Sequence, residues 1–186
     1  MSLRDKIKKF VLFDEAEAKD KEFALKLIDM FKDVLTRENE LCHFSASAFV
    51  VNKNRTKMLV VHHNIYNGWI TPGGHADGEE NLLNVAMREV EEETGLKALP
   101  LDTNIFALSA FPIVGHIKRD KHVSAHIHID AMFILEADDS IPLIYREDES
   151  SGVKWITLEE ALSDDIVYFA KPINKRLIER MWTEKL

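Results

Sequence analysis

Between Gly74 and Leu96 the chain carries a spacing that chance does not produce. Gly74 is followed at fixed intervals by Glu80 and by Arg88-Glu89-Val90-Glu91-Glu92-Glu93-Thr94-Gly95-Leu96. Written out, this is G-x5-E-x7-R-E-U-x-E-E-x-G-U, with U a bulky aliphatic residue. From average residue usage, a random window satisfies it with odds on the order of one in a billion. Asn81 to Thr94 is rich in helix formers, lacks Gly and Pro, and ends at Gly95, which suits a left-handed C-terminal cap. The segment predicts one helix, with Leu82, Leu83, Val85, Ala86 and Val90 forming a stripe to bury.

On that helix Glu89, Glu92 and Glu93 fall at i, i+3 and i+4, so their carboxylates share one side. Like charges at this spacing repel, and near a helix C-terminus they also oppose the macrodipole. A divalent cation removes the conflict, because hard oxygen ligands suit Mg²⁺ or Mn²⁺. An isolated E-x-x-E-E would read as a solvated acidic face. Here it follows Trp69-Ile70-Thr71-Pro72-Gly73-Gly74, where a rigid Pro and a Gly pair let backbone approach a ligand closely. Strand, Gly-rich loop and acidic helix in that order point to a metal–pyrophosphate site as the expectation.

The 186 residues suit one domain with a substantial core. A net charge of −8 argues against extended nucleic-acid binding, and an anionic substrate would need metal ions or local cations to approach. Cys42, the single cysteine, excludes an internal disulfide and reads as a small buried residue. No apolar run reaches membrane-spanning length, and Met1 to Phe10 is charged rather than signal-like, so a cytoplasmic protein is the expectation.

Residues 1–40 read as a helical extension before a domain at 41–186, with Phe23, Leu27, Met30, Phe31, Val34 and Leu35 as its apolar stripe. This extension either docks on the domain or supports a homodimer. Strands are expected at His43–Val51, Lys57–His63, Ile105–His116, Val123–Leu135 and Val153–Ile156, with helices at Leu158–Leu162 and Pro172–Trp182. Strands with helices between and outside them imply an α/β/α arrangement.

In Val123–Leu135, Ala125, Ile127, Ile129, Ala131, Phe133 and Leu135 alternate onto one face, and His126, His128 and Asp130 onto the other. The polar face either looks into a cleft, contacting substrate or holding the Gly73–Gly74 loop, or makes ordinary hydrogen bonds. A zinc site from His126 and His128 is disfavoured, because no Cys or carboxylate partner pattern accompanies them. His75 gains weight from following the Gly pair. Lys118-Arg119-Asp120-Lys121 brings cations to a phosphate chain, or is a solvated loop. Glu147, Asp148 and Glu149 supply an extra ligand or base, or form an acidic surface turn. Trp69, Tyr66, Phe44 and Phe111 are available for base stacking, although aromatics at strand ends are more often core.

Taken together, residues 43–160 resemble the Nudix hydrolase family, whose signature box is fully present at Gly74–Leu96 and is preceded by Trp69-x-x-Pro72-Gly73-Gly74. The chain is also similar to a bacterial subgroup with an N-terminal helical region, through His43-Phe44-Ser45-Ala46-Ser47-Ala48, Gly73-Gly74-His75, Leu101-Asp102, His126-x-His128-x-Asp130 and Asp148-Glu149-Ser150. The resemblance implies an α/β/α sandwich with a mixed sheet, in which the box forms a loop-helix-loop platform. It implies Mg²⁺- or Mn²⁺-dependent hydrolysis of a nucleoside diphosphate linked to another group. Glu89, Glu92 and Glu93 would be the metal ligands, one of them also the base, with a Gly73 or Gly74 carbonyl as a further ligand. Glu80, Arg88 and Gly95 would support the motif, Arg88 paired to a carboxylate. Trp69, His75, His126, His128, Lys118 and Arg119 are the substrate-binding candidates, and Glu147 and Glu149 the accessory ones.

Two other readings compete. A nucleotide-binding regulatory module without turnover would be favoured by a lost box carboxylate, and none is lost. An isopentenyl-diphosphate isomerase would need a catalytic cysteine, and Cys42 lacks the surrounding motif.

Overall fold

The computed structural model describes residues 1–118, 120–145 and 150–186, with the backbone alone at Lys118. Its elements run α1 (Leu3–Lys9), α2 (Glu15–Met30), β1 (Cys42–Asn52), β2 (Lys57–His63), β3 (Gly68–Ile70), β4 (Gly73–His75), α3 (Leu82–Thr94), β5 (Leu99–Pro100), β6 (Ala107–Ile113), β7 (His116–Lys118), β8 (Lys121–Val123), β9 (His126–Ala137), β10 (Ser150–Thr157), a 3₁₀ turn at Glu160–Leu162 and α4 (Ala170–Glu184).

The main sheet has the order β10-β2-β1-β9-β5, with β3 on β2, β4 on β1 and β6 on β9, while β7 and β8 form a separate hairpin. β1 and β9 are parallel and the other strand pairs antiparallel, so the sheet is mixed. Strand alternation divides the core in two. Ala46, Ala48 and Val50 of β1, with Ile129, Ala131 and Phe133 of β9, pack under Val85 and Val90 of α3 and Leu27 of α2. Phe49, Val51, Met132 and Ile134 point the opposite way and pack on Ile173, Leu177 and Met181 of α4. Helices cover both faces, giving the expected α/β/α sandwich.

The N-terminal region departs from a continuous helical stripe. Phe10 ends α1 in an extended conformation (ψ 127°), and Asp14 restarts the chain by accepting the Glu17 N–H at 2.8 Å. α2 ends at Met30, with Phe31 extended; Met30 and Phe23 are exposed rather than part of a buried stripe. The cause is tertiary. The Val34 carbonyl accepts from Phe44 N–H at 2.7 Å and the Leu35 carbonyl from Gly78 N–H at 2.9 Å, so this stretch is held in turns between β1 and the loop before α3.

Glu17 fastens α2 to the body. It is fully buried, accepting from Phe13 N–H at 2.9 Å and Leu108 N–H at 3.4 Å, with Arg180 Nη1 at 3.5 Å. Asp14 adds a 2.8 Å bond from Arg176 Nε. Among the described residues, no helix is long and apolar enough to cross a membrane.

Candidate active site

Helix α3 is both a core element and a carrier of charge. Leu82, Val85, Ala86 and Val90 are buried, which turns Glu89, Glu92 and Glu93 toward the sheet end occupied by β4. Gly95 ends the helix with φ 73°, as its left-handed cap requires. Glu80 is exposed in the preceding loop, where its carbonyl accepts from Lys6 Nζ at 3.3 Å.

The Gly pair meets these carboxylates directly. Gly73 N–H donates to Glu93 Oε2 at 2.9 Å. A Cβ on Gly74 would stand 2.5 Å from Oε2 and 2.8 Å from Oε1 of Glu89, and one on Gly73 would stand 2.7 Å from Ser47 Cα and 2.8 Å from the Ala46 carbonyl oxygen. Only glycine permits this double approach. Arg88 bridges the cluster, with Nη2 donating to Glu89 Oε1 at 3.0 Å and Nε lying 3.7 Å from Glu92 Oε1. Exposure grades outward, from buried Glu93 through Glu89 (15% of its side chain) to Glu92 (43%). Carboxylate oxygens on a fixed backbone fit a hard divalent cation, Mg²⁺ or Mn²⁺.

β1, β4 and β9 build the adjoining wall. Register sets His43 opposite His128 and Ser45 opposite Asp130 on the parallel pair, and Ser45 opposite His75 on the antiparallel one. Ser45 Oγ donates to Asp130 Oδ1 at 2.7 Å and Ser47 Oγ to Asp130 Oδ2. Burial pushes the Asp130 carboxyl above its ordinary range, against the pull of those two hydroxyls.

The histidines of this wall lie close together, and burial disfavours the charged form of two of them. Burial, reinforced by His75, His43, His126 and His116, pushes His128 down to about 2, and burial also lowers His43. His43 Nδ1 lies 2.9 Å from the Asn39 carbonyl and His126 Nδ1 2.8 Å from that of Ser124. A carbonyl only accepts, so both Nδ1 atoms carry the proton. His126 Nε2 is then an acceptor, and His128 Nε2, 3.1 Å away, is its donor.

Carboxylates, Gly pair, His75, His128 and Asp130 all line one cavity of about 600 Å³, within the usual range for small-molecule sites. Its wall also includes aromatic rings: Phe111 stacks on Phe169 at 4.7 Å, and Tyr66 meets Phe169 edge-on at 5.2 Å. Burial pushes the Tyr66 phenol up to about 12. Arg37 also faces the cavity, held by two bonds to Asp77 at 2.7 and 2.6 Å.

The structure separates the remaining sequence expectations. Trp69 does not line the cavity; Lys154 Nζ sits 4.1 Å over its ring and His62 packs on it edge-on at 5.0 Å. Phe44 is wholly buried in the core and offers no stacking face. His126 stands behind His128 rather than on the cavity wall. The Lys118 side chain, Arg119, Glu147 and Glu149 lie outside the described residues. Cys42 is buried in the α3-side core, its thiol pushed up by burial and by Asp33, the reverse of a catalytic thiolate. Arg37, Asp77, Phe169 and His43 are additions. Arg37 and Phe169 stand in segments with no motif around them, whereas alternation along β1 places His43 on the face of Ser45 and Ser47.

Comparison with known proteins gives a consistent set of likenesses. The profile described as NUDIX domain matches residues 42–177. Nudix hydrolase 6 of Arabidopsis thaliana is 33% identical over 120 residues, 61% of this chain but 38% of that protein. The RNA pyrophosphohydrolase of Pelagibacter ubique is 30% identical over 119 residues, covering 62% of this chain and 75% of its own length. Among solved structures, E. coli dihydroneopterin triphosphate pyrophosphohydrolase superposes with a TM-score of 0.57 at 15% identity, over 73% of this chain and 94% of the other. A NUDIX-family hydrolase from Clostridium perfringens gives 0.52 at 22% identity, over 74% and 96%. At these identities the structures speak to the fold.

Proposed function

The chain belongs to the NUDIX family, and from that membership we propose that it hydrolyses the diphosphate linkage of a nucleotide derivative with Mg²⁺ or Mn²⁺ held by Glu89, Glu92 and Glu93. One observation carries the reading: Glu89 and Glu93 converge on the Gly73–Gly74 backbone, with Glu92 beside them at the wall of a cavity of about 600 Å³. A cation bound there supplies charge neutralisation and a more acidic water. Arg88 fixes Glu89 and Glu92 relative to each other, and Gly73 N–H fixes Glu93. One of the three carboxylates accepts the water's proton as its oxygen bonds to phosphorus and the bridging P–O bond breaks. From a nucleoside triphosphate, the products are a monophosphate and pyrophosphate.

The cavity supports a nucleotide over an inorganic diphosphate. Arg37 and Arg88 offer cations to the phosphate chain, and the Phe111–Phe169 pair with Tyr66 offers a stacking surface to a base. The relatives named as pyrophosphohydrolases of RNA and of dihydroneopterin triphosphate support the diphosphate as the common target.

The test is phosphate or pyrophosphate release from a panel of nucleoside triphosphates, nucleotide sugars, dinucleoside polyphosphates and coenzyme A, with Mg²⁺ or Mn²⁺ and with neither. Metal-dependent turnover that collapses in Glu92→Gln supports the reading. Tight binding without turnover of any of them sinks it and favours a recognition module.

A further inference from the structure

We propose that His43, His75 and His128 form a second metal site, separate from the carboxylates, that takes a divalent transition-metal ion of the Zn²⁺ type. One ring nitrogen from each residue falls in a group within 4.8 Å. Zn–N bonds of about 2.0–2.1 Å in tetrahedral geometry place ligand nitrogens roughly 3.3–3.5 Å apart, so the rings need close by little more than about 1 Å. Three imidazoles with no carboxylate among them select Zn²⁺, Ni²⁺ or Cu²⁺ over the hard Mg²⁺ suited to the glutamates.

His43 gives the second observation. It is 4% exposed, and its Nε2 is buried with no hydrogen-bond partner, while its Nδ1–H is spent on Asn39. A buried lone pair without a donor is an anomaly in a folded protein, and an imidazole whose other nitrogen donates to a carbonyl is the usual posture of a metal ligand. Its ring lies 5.1 Å from that of His75 and 4.8 Å from that of His128, centre to centre. His128 is held in the same way, its Nε2–H directed at His126, which leaves Nδ1 with the lone pair.

The fold positions all three. His43 and His128 are paired across the β1–β9 ladder, and His75 enters from β4 through its pairing with β1. The sequence pattern hid this, because the partners of His128 come from strands remote in the chain rather than from His126 beside it. His75 and His128 line the same cavity as the glutamates. Three protein ligands leave a fourth tetrahedral position open, suited to a water or phosphate oxygen.

Co²⁺ titration of chelator-stripped protein, with Mg²⁺ in large excess to occupy the carboxylates, tests the site independently of any substrate. The expected result is one Co²⁺ per chain with the intense visible absorption of four-coordinate nitrogen ligation, displaced by Zn²⁺. His75→Ala and His128→Ala abolish it, His126→Gln weakens Zn²⁺ binding by about 10–100-fold, and Glu92→Gln leaves it unchanged. A weak six-coordinate spectrum from the wild type, or a spectrum lost in Glu92→Gln and kept in both histidine variants, overturns the proposal. If the histidine variants fail to fold by circular dichroism, X-ray absorption on Zn²⁺-loaded wild type decides. An imidazole shell upholds the site, and an oxygen-only shell removes it. Because every readout is binding or spectroscopy, failure of the hydrolase reading and failure of this one are told apart.

Discussion

Gly73 N–H and Glu93 Oε2, 2.9 Å apart and twenty residues apart in sequence, tie β4 to the carboxylate near the end of α3. The bond separates two duties of Glu93, since its oxygen accepts for the fold and its charge serves the site. Glu93→Gln keeps an acceptor and loses the charge, so its thermal midpoint stays near wild type while kcat falls about 10²-fold or more. Glu93→Ala loses both and should melt measurably lower. A Glu93→Gln protein with unchanged kcat would remove Glu93 from the chemistry.

The two glycines predict opposite phenotypes. An alanine at 74 meets the end of the Glu89 side chain, which can swing away; one at 73 meets backbone at Ala46 and Ser47. Gly73→Ala should therefore cost about 1–3 kcal/mol in denaturant unfolding. Gly74→Ala should stay close to wild-type stability and lose activity through the displaced carboxylate. Equal stability losses in both would contradict the assignment.

Phe169→Ala removes half of the stacked Phe111–Phe169 pair on the cavity wall. If a base stacks there, the loss of about 1–3 kcal/mol raises KM roughly 5- to 150-fold. kcat should change little, because the ring is remote from the carboxylates in role. A fall confined to kcat would place the base elsewhere.

Glu17 gives a pH signature. Burial, the largest influence, raises its carboxyl above the ordinary 4.5, against Phe13 N–H, Arg180 and Arg176. An acid with a raised folded value binds its proton more tightly in the native state. Its stabilising contribution is full below pH 4.5 and is lost as pH rises through the raised value. Glu17→Gln mimics the protonated form and does not share this loss, so it should gain on wild type as pH rises through that window. Urea unfolding at several pH values checks the slope, and a variant that loses ground to wild type as pH rises would refute it.

Legibility of the chain divides along a physical line. The carboxylate helix is plain in the sequence because its constraints are local: spacing on one helix, a cap at Gly95 and a Gly pair just upstream. The alternation of β9 is equally local, and it places His128 and Asp130 on the face where they stand. What local pattern does not carry is pairing. Nothing near Ser45 and Ser47 announces Asp130, nothing near Arg37 announces Asp77, and His43 meets His128 only once β1 and β9 have aligned. Trp69 shows the converse error, since its place beside the Gly pair says nothing about which side of the strand its ring takes.

That parallel seam has a kinetic consequence. Cys42 through Asn52 pair with Ile127 through Ala137 without a break, and Ser45 finds Asp130 at a separation of 85 positions. Closing so long a loop costs entropy before any contact repays it, and pairings of this kind fold slowly. During synthesis the emerging α3 presents its glutamates well before β9 leaves the ribosome. The polar wall opposite them is therefore completed late, and until then β1 waits as a bare apolar edge, the segment a folding helper would most need to shield.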